Sequence, residues 1–138
     1  MRGRVIAGLV AVAAVSPLVT AAVLSPAASG IGTHRSLGLP ACGWQTNMGL
    51  PCPTCGMTTA FSHAVRADFL AAATTQPAGL LACVLVAMAA LGGVYAAVSG
   101  APMQHVAGWF VRPAVVWAGI GVLLVGWSWK LVQAGGAA

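Results

Sequence analysis

Residues Pro77–Ser99 read PAGLLACVLVAMAALGGVYAAVS, an apolar run without one charged side chain. At 1.5 Å per residue such a helix is about 34 Å long, enough to cross a hydrocarbon core of about 30 Å. Pro77 suits the first turn of a helix, and a proline disfavours helix in the residue before it. Gln76-Pro77 therefore closes one element and opens this one. Ala89, Gly93 and Ala97 fall four apart, a small-residue stripe that lets another helix approach closely. Cys83, alone inside the run, reads as a small buried apolar residue.

Two more runs have the same character, residues 5–24 and 113–131. The first contains Pro17, which a membrane helix tolerates when neighbours satisfy the freed carbonyl. With Arg2 and Arg4 in front and Ser25-Pro-Ala-Ala-Ser behind, it also resembles a secretory signal. Its apolar core exceeds the 7–15 residues usual for one, which favours a retained anchor. The last run has Trp109 before it and Trp127, Trp129 and Lys130 at its end, an arrangement that places aromatic residues at both membrane interfaces. Gly100 to Arg112 reads as a turn carrying His105, and the Gly135-Gly-Ala-Ala tail as a frayed end.

Composition agrees. Of 138 residues, 59% are hydrophobic and 5% charged, and the mean hydropathy is +0.93. Asp68 is the sole acid against six bases, so charge cannot cover a globule in water. The bases are scattered, which argues against nucleic acid and for headgroup contacts and topology marking in a lipid bilayer. The expected fold is an all-α membrane protein of one domain. It has three transmembrane helices and one interfacial amphipathic helix, preceded by a Cys-rich loop. Arg2 and Arg4 favour a cytoplasmic N-terminus and an extracytoplasmic loop.

Upstream of Gln76, residues 57–75 form that amphipathic helix. Met57, Ala60, Phe61, Ala64, Val65, Ala71 and Ala72 share one face, and Thr59, Ser62, His63 and Arg66 the other. Asp68 is anomalous, about 20° from the centre of the apolar face by the same arithmetic. A carboxylate there must be paired, hydrogen-bonded or protonated, with Arg35, His34 or backbone N–H groups of the cysteine loop as the nearest partners.

Residues 26–56 hold no sustained period and are rich in Gly, Pro, Ser and Thr. Within them Cys42, Cys52 and Cys55 lie close in sequence, the last two in Cys52-Pro53-Thr54-Cys55-Gly56. A Cys-x-x-Cys turn sets two sulfurs at the spacing of one tetrahedral metal or one strained disulfide. Pro53 stiffens it and Gly56 permits the backbone turn after the second cysteine. The motif resembles the metal knuckle of rubredoxins and zinc ribbons, but the second knuckle of those families has no counterpart here. Cys42 is the third candidate ligand. His63, His34, Asp68, Cys83 or an outside group would be the fourth. Three readings stay open: a structural site for zinc or a similar metal, a Cys52/Cys55 redox pair, and a structural disulfide from Cys42. The odd number of loop thiols leaves one unpaired under any disulfide scheme.

Cys42, a spacer, Cys52-Pro-Thr-Cys-Gly-Met-Thr, a helix with Asp68, and Gln76-Pro77 before a span together resemble domain-of-unknown-function family 2752. The resemblance covers roughly residues 40–99. It implies a small bacterial membrane protein, hence the cell membrane, with a common cysteine site and no established activity. Thr59 stands where that pattern has Arg, Ala67 where it has Gly, and Gln76 where it has Asn. The expected function is that of an accessory or interaction subunit, with other membrane proteins as partners. Cys42, Cys52, Cys55 and His63 would be its metal ligands, and Gly56, Asp68 and Pro77 its structural residues. The alternative is a membrane thiol–disulfide oxidoreductase or metal-handling protein acting through Cys52 and Cys55. A single acid excludes paired-carboxylate catalysis.

Overall fold

A computed structural model describes residues 2–102, 108 and 112–135. His105, Trp109 and the tail residues 136–138 lie outside the described residues. The elements are α1 (Arg2–Val23), a 3-10 turn (Thr33–Leu37), α2 (Gly43–Met48), α3 (Met57–Ala64), α4 (Phe69–Thr75), α5 (Pro77–Ser99) and α6 (Pro113–Gly135). Among the described residues there is no strand. Three helices are long and apolar enough to cross a membrane: α1, α5 and α6. Val5, Leu9, Val12, Leu91, Val98, Val125 and Val132 point outward from them, the surface that lipid, rather than water, solvates.

The bundle is built on an antiparallel α1/α5 pair. Its seam consists of small residues: Ala7, Ala11 and Ala21 from α1, and Ala90, Gly93 and Ala96 from α5 are buried. At Gly93 the contact is backbone to backbone, because a Cβ there would lie 3.1 Å from Ala11 Cα. Of the expected Ala89–Gly93–Ala97 stripe only Gly93 is buried; the face that packs on α1 runs through Ala90, Gly93 and Ala96, with Ala89 and Ala97 at its margin.

Each helix of the pair is capped at its C-terminus by an arginine. Arg4 Nε donates to Ala97 O at 3.0 Å, and its Nη2 to Val98 O. Arg66 donates through Nη1 to Ala21 O at 3.2 Å and through Nη2 to Ala22 O at 2.9 Å, while Ser62 Oγ donates to Ala21 O at 3.0 Å. The last carbonyls of a helix have no partner inside it, and the helix dipole places negative charge there, so a guanidinium satisfies both demands.

The 57–75 helix expected from the sequence is divided. It breaks after Ala64, and Asp68 N donates to His63 O across the turn at 3.1 Å. Ala67 takes φ +62°, the left-handed conformation that glycine adopts freely and an alanine adopts at a cost. Asp68 then becomes the N-cap of α4, its Oδ1 accepting from Ala71 N at 3.2 Å. The break re-aims both faces. Thr59 and Ser62, expected on a solvated face, are fully buried, turned toward the loop and the end of α1. Asp68, expected on the apolar face, is instead half exposed at the corner. Three-and-four periodicity carried through residue 67 mistakes a helical corner for one helix.

Two substitutions test this account. Ala67→Gly relieves the left-handed strain and should raise stability by about 1 kcal/mol, seen as a higher Tm in detergent. Gly93→Val inserts bulk where backbones touch and should lower stability by about 1–3 kcal/mol. The opposite sign in either melt contradicts the corner or the seam.

Candidate metal-ligating thiol site

The sulfurs are gathered by two short turns. Cys55 N donates to Cys52 O at 3.0 Å and Met57 N to Thr54 O at 3.1 Å, so the knuckle winds directly into α3. Cys52 and Cys55 Sγ stand 3.4 Å apart, in contact but unbonded. Cys42 caps the start of α2 and brings its sulfur to the same place, with all three Sγ atoms within 4.8 Å of one another. Two thiolates bound tetrahedrally at about 2.3 Å from one zinc are about 3.8 Å apart, so this triangle needs only small rotamer changes to ligate. Gly56 adopts φ +85°, and a Cβ on it would lie 2.8 Å from Gly30 O. Its glycine is required both by conformation and by space.

The knuckle is fixed by donors from elsewhere in the chain. Gln76 Nε2 donates to Pro53 O at 2.9 Å, and Trp127 Nε1 to Pro51 O at 2.9 Å. The Trp127 ring also meets Trp44 of α2 edge to face, with centroids 6.3 Å apart, which ties α6 to the segment carrying Cys42. On the inner side Thr33 and Thr59 share a buried hydroxyl hydrogen bond of 2.8 Å. Gly79 of α5 admits α3, since a Cβ there would be 2.8 Å from Ala60 Cβ. The three sulfurs open into a cavity of about 390 Å³ that His34, Thr54, Met57 and Thr58 also line.

The thiols differ in electrostatic setting. The Gln45 backbone N–H, then the Cys52 thiol and the Trp44 N–H, stabilise a Cys42 thiolate and bring its pKa down to about 7. Burial, with the neighbouring Cys52 second, pushes Cys55 up to about 12. The cluster thus offers one readily ionised sulfur at its open edge and one buried sulfur whose proton only a strong Lewis acid would displace.

His63 is not part of this triangle. Its Nδ1 lies 3.2 Å from Asp68 Oδ2, and the pair braces the α3–α4 corner. The partner of Asp68 is therefore His63, and neither Arg35 nor His34. His34 borders the sulfur cavity and hydrogen-bonds Pro40 O at 3.3 Å. Pro77 begins α5, and Cys83 is buried in the core with Ala60, Ala64 and Ala72. Sequence reasoning missed Gln76 and Trp127, which hold the knuckle's carbonyls, and Lys130, whose Nζ stands beside Gly56. Gln76 stands out only as a helix stop, the other two only as interface markers. The i, i+3 spacing of Trp127 and Lys130 was the available signal that one face of α6 carries both.

Residues 40–90 match the model of a family described as a protein of unknown function, DUF2752. No curated protein and no solved structure matches the chain.

Metals bind thiolates, so loading this cluster must release every proton that Cys42, Cys52 and Cys55 still carry. Zinc affinity, measured by chelator competition, should rise steadily between about pH 6 and 8 with proton release into a weak buffer. A pH-independent affinity would mean that the sulfurs are not the ligands.

Proposed function

We propose that this chain, whose residues 40–90 carry the DUF2752 pattern, is an accessory subunit of the cell membrane. In this reading Cys42, Cys52 and Cys55 hold one soft metal ion, zinc or a metal of similar thiolate affinity. The observation that supports it most is the convergence of three sulfurs from two separate turns within 4.8 Å. A disulfide would use two of them and leave the third beside it without a role. The three donors of the cluster are all sulfur, which selects zinc, copper(I) or cadmium over magnesium, calcium or manganese. His34 or an outside group takes the fourth position, from the cavity side.

The metal's role in this reading is to staple. It joins α2, which carries Trp44, to the knuckle that α5 and α6 hold by its carbonyls. Leu37, Leu39, Met48 and Leu50 remain exposed on the stapled segment, and they supply the apolar surface for another membrane protein. We place this segment on the extracytoplasmic side, following Arg2 and Arg4.

Elemental analysis of the purified protein, combined with thiol counting under denaturation, tests the proposal. One metal ion per chain and four reactive thiols after chelation are expected, and two missing thiols would replace the metal by a disulfide. Cys42→Ser and Cys55→Ser should each lower accumulation and metal content together. Normal accumulation with loss of thiol–disulfide exchange would instead favour an oxidoreductase acting through Cys52 and Cys55.

A further inference from the structure

Lys130 is the only lysine in the sequence, and it is buried, with 5% of its surface exposed. Burying an ammonium is costly unless an anion or several acceptors meet it. The single acidic side chain of the chain is elsewhere: Asp68 uses Oδ2 for His63 and Oδ1 for the first turn of α4. Among the described residues Lys130 makes no ion pair.

Its position indicates which anion it meets. Lys130 Nζ lies between two glycine backbones of the cysteine segment, where a Cβ on Gly56 would be 3.2 Å away and one on Gly30 3.6 Å. Gly56 directly follows Cys55, so the ammonium stands one residue along the chain from the buried sulfur of the cluster. The face of α6 that brings it there is anchored nearby, by Trp127 on Pro51 O and by Gly126 against the buried Gln76 side chain.

We infer that the Lys130 ammonium is the counter-ion of the thiolate cluster, delivered by α6 to balance the net negative charge left when one metal ion binds Cys42, Cys52 and Cys55. Three thiolates carry three negative charges. A divalent ion leaves one, which one ammonium neutralises, whereas a monovalent ion leaves two. This rests on the metal reading above, and it adds an electrostatic role for the last span, which Trp127 already ties to the knuckle. Metal binding and docking of α6 are then coupled. The buried cation is unbalanced without the thiolates, and the loaded cluster is unbalanced without the cation.

The test uses full-length protein in detergent and the ions themselves. Lys130→Met keeps the length of the side chain and removes its charge. It should weaken zinc binding by at least about tenfold and copper(I) binding by more, because copper(I) leaves the larger negative charge. Unchanged affinities, or equal losses for both ions, overturn the inference, since a purely structural defect does not sense the charge of the metal. If the variant does not accumulate, acylation of the wild-type lysine decides. Labelling should be slower in the zinc-loaded protein than after chelation, and equal rates overturn the inference. Wild-type protein that binds neither ion would sink the metal reading itself. Wild-type binding that Lys130→Met leaves intact would sink only the counter-ion.

Discussion

Carbonyl groups without partners are the constraint that this structure is built around. In a chain with so little charge, set at a lipid boundary, a stranded C=O has neither water nor a ladder to satisfy it. The few donors the sequence has are spent on such groups. Arg66 and Ser62 close the end of α1 and Arg4 closes the end of α5. Gln76 and Trp127 close the two proline carbonyls of the knuckle. Take the knuckle's donors away and its sulfurs have no fixed place relative to the bundle.

The small residues follow from the same logic. Lipid tails are as apolar as leucine, so helices in a bilayer gain little by burying leucine against leucine. They gain by close approach, and the α1/α5 seam therefore uses Ala and Gly, with the larger side chains facing out. Gly79 extends this closeness to α3, which positions Cys55. Packing at the seam and geometry at the sulfurs are thus one problem, solved along one helix.

The three spans were legible because length and hydropathy are local properties, and Pro77 marked a boundary through its own ring. The Cys42–Cys52–Cys55 convergence was half legible. The Cys-x-x-Cys turn fixes two sulfurs by itself, while Cys42 needs a short helix that no periodicity announced. The corner at residues 65–68 was hidden, because Ala67 occupies a conformation that its side chain does not advertise. The inward turn of Ser62 and Arg66 could not be read from a helical wheel. A wheel sorts polar from apolar, and here Thr59 and Ser62 of the polar face are buried, while the exposed Arg66 reaches back to the last carbonyls of α1.

Position 59 sharpens the point about charge. Thr59 stands at the edge of the sulfur cavity, fully buried and tied to Thr33. An arginine could not occupy that space without displacing the loop that Thr33 holds. The cation that does stand near the sulfurs arrives from the opposite end of the sequence, on α6. A long charged side chain on the last span can place its head beside residue 56 while its stem stays in the apolar layer. A cluster of thiolates needs a positive charge within reach, but electrostatics does not dictate which helix provides it.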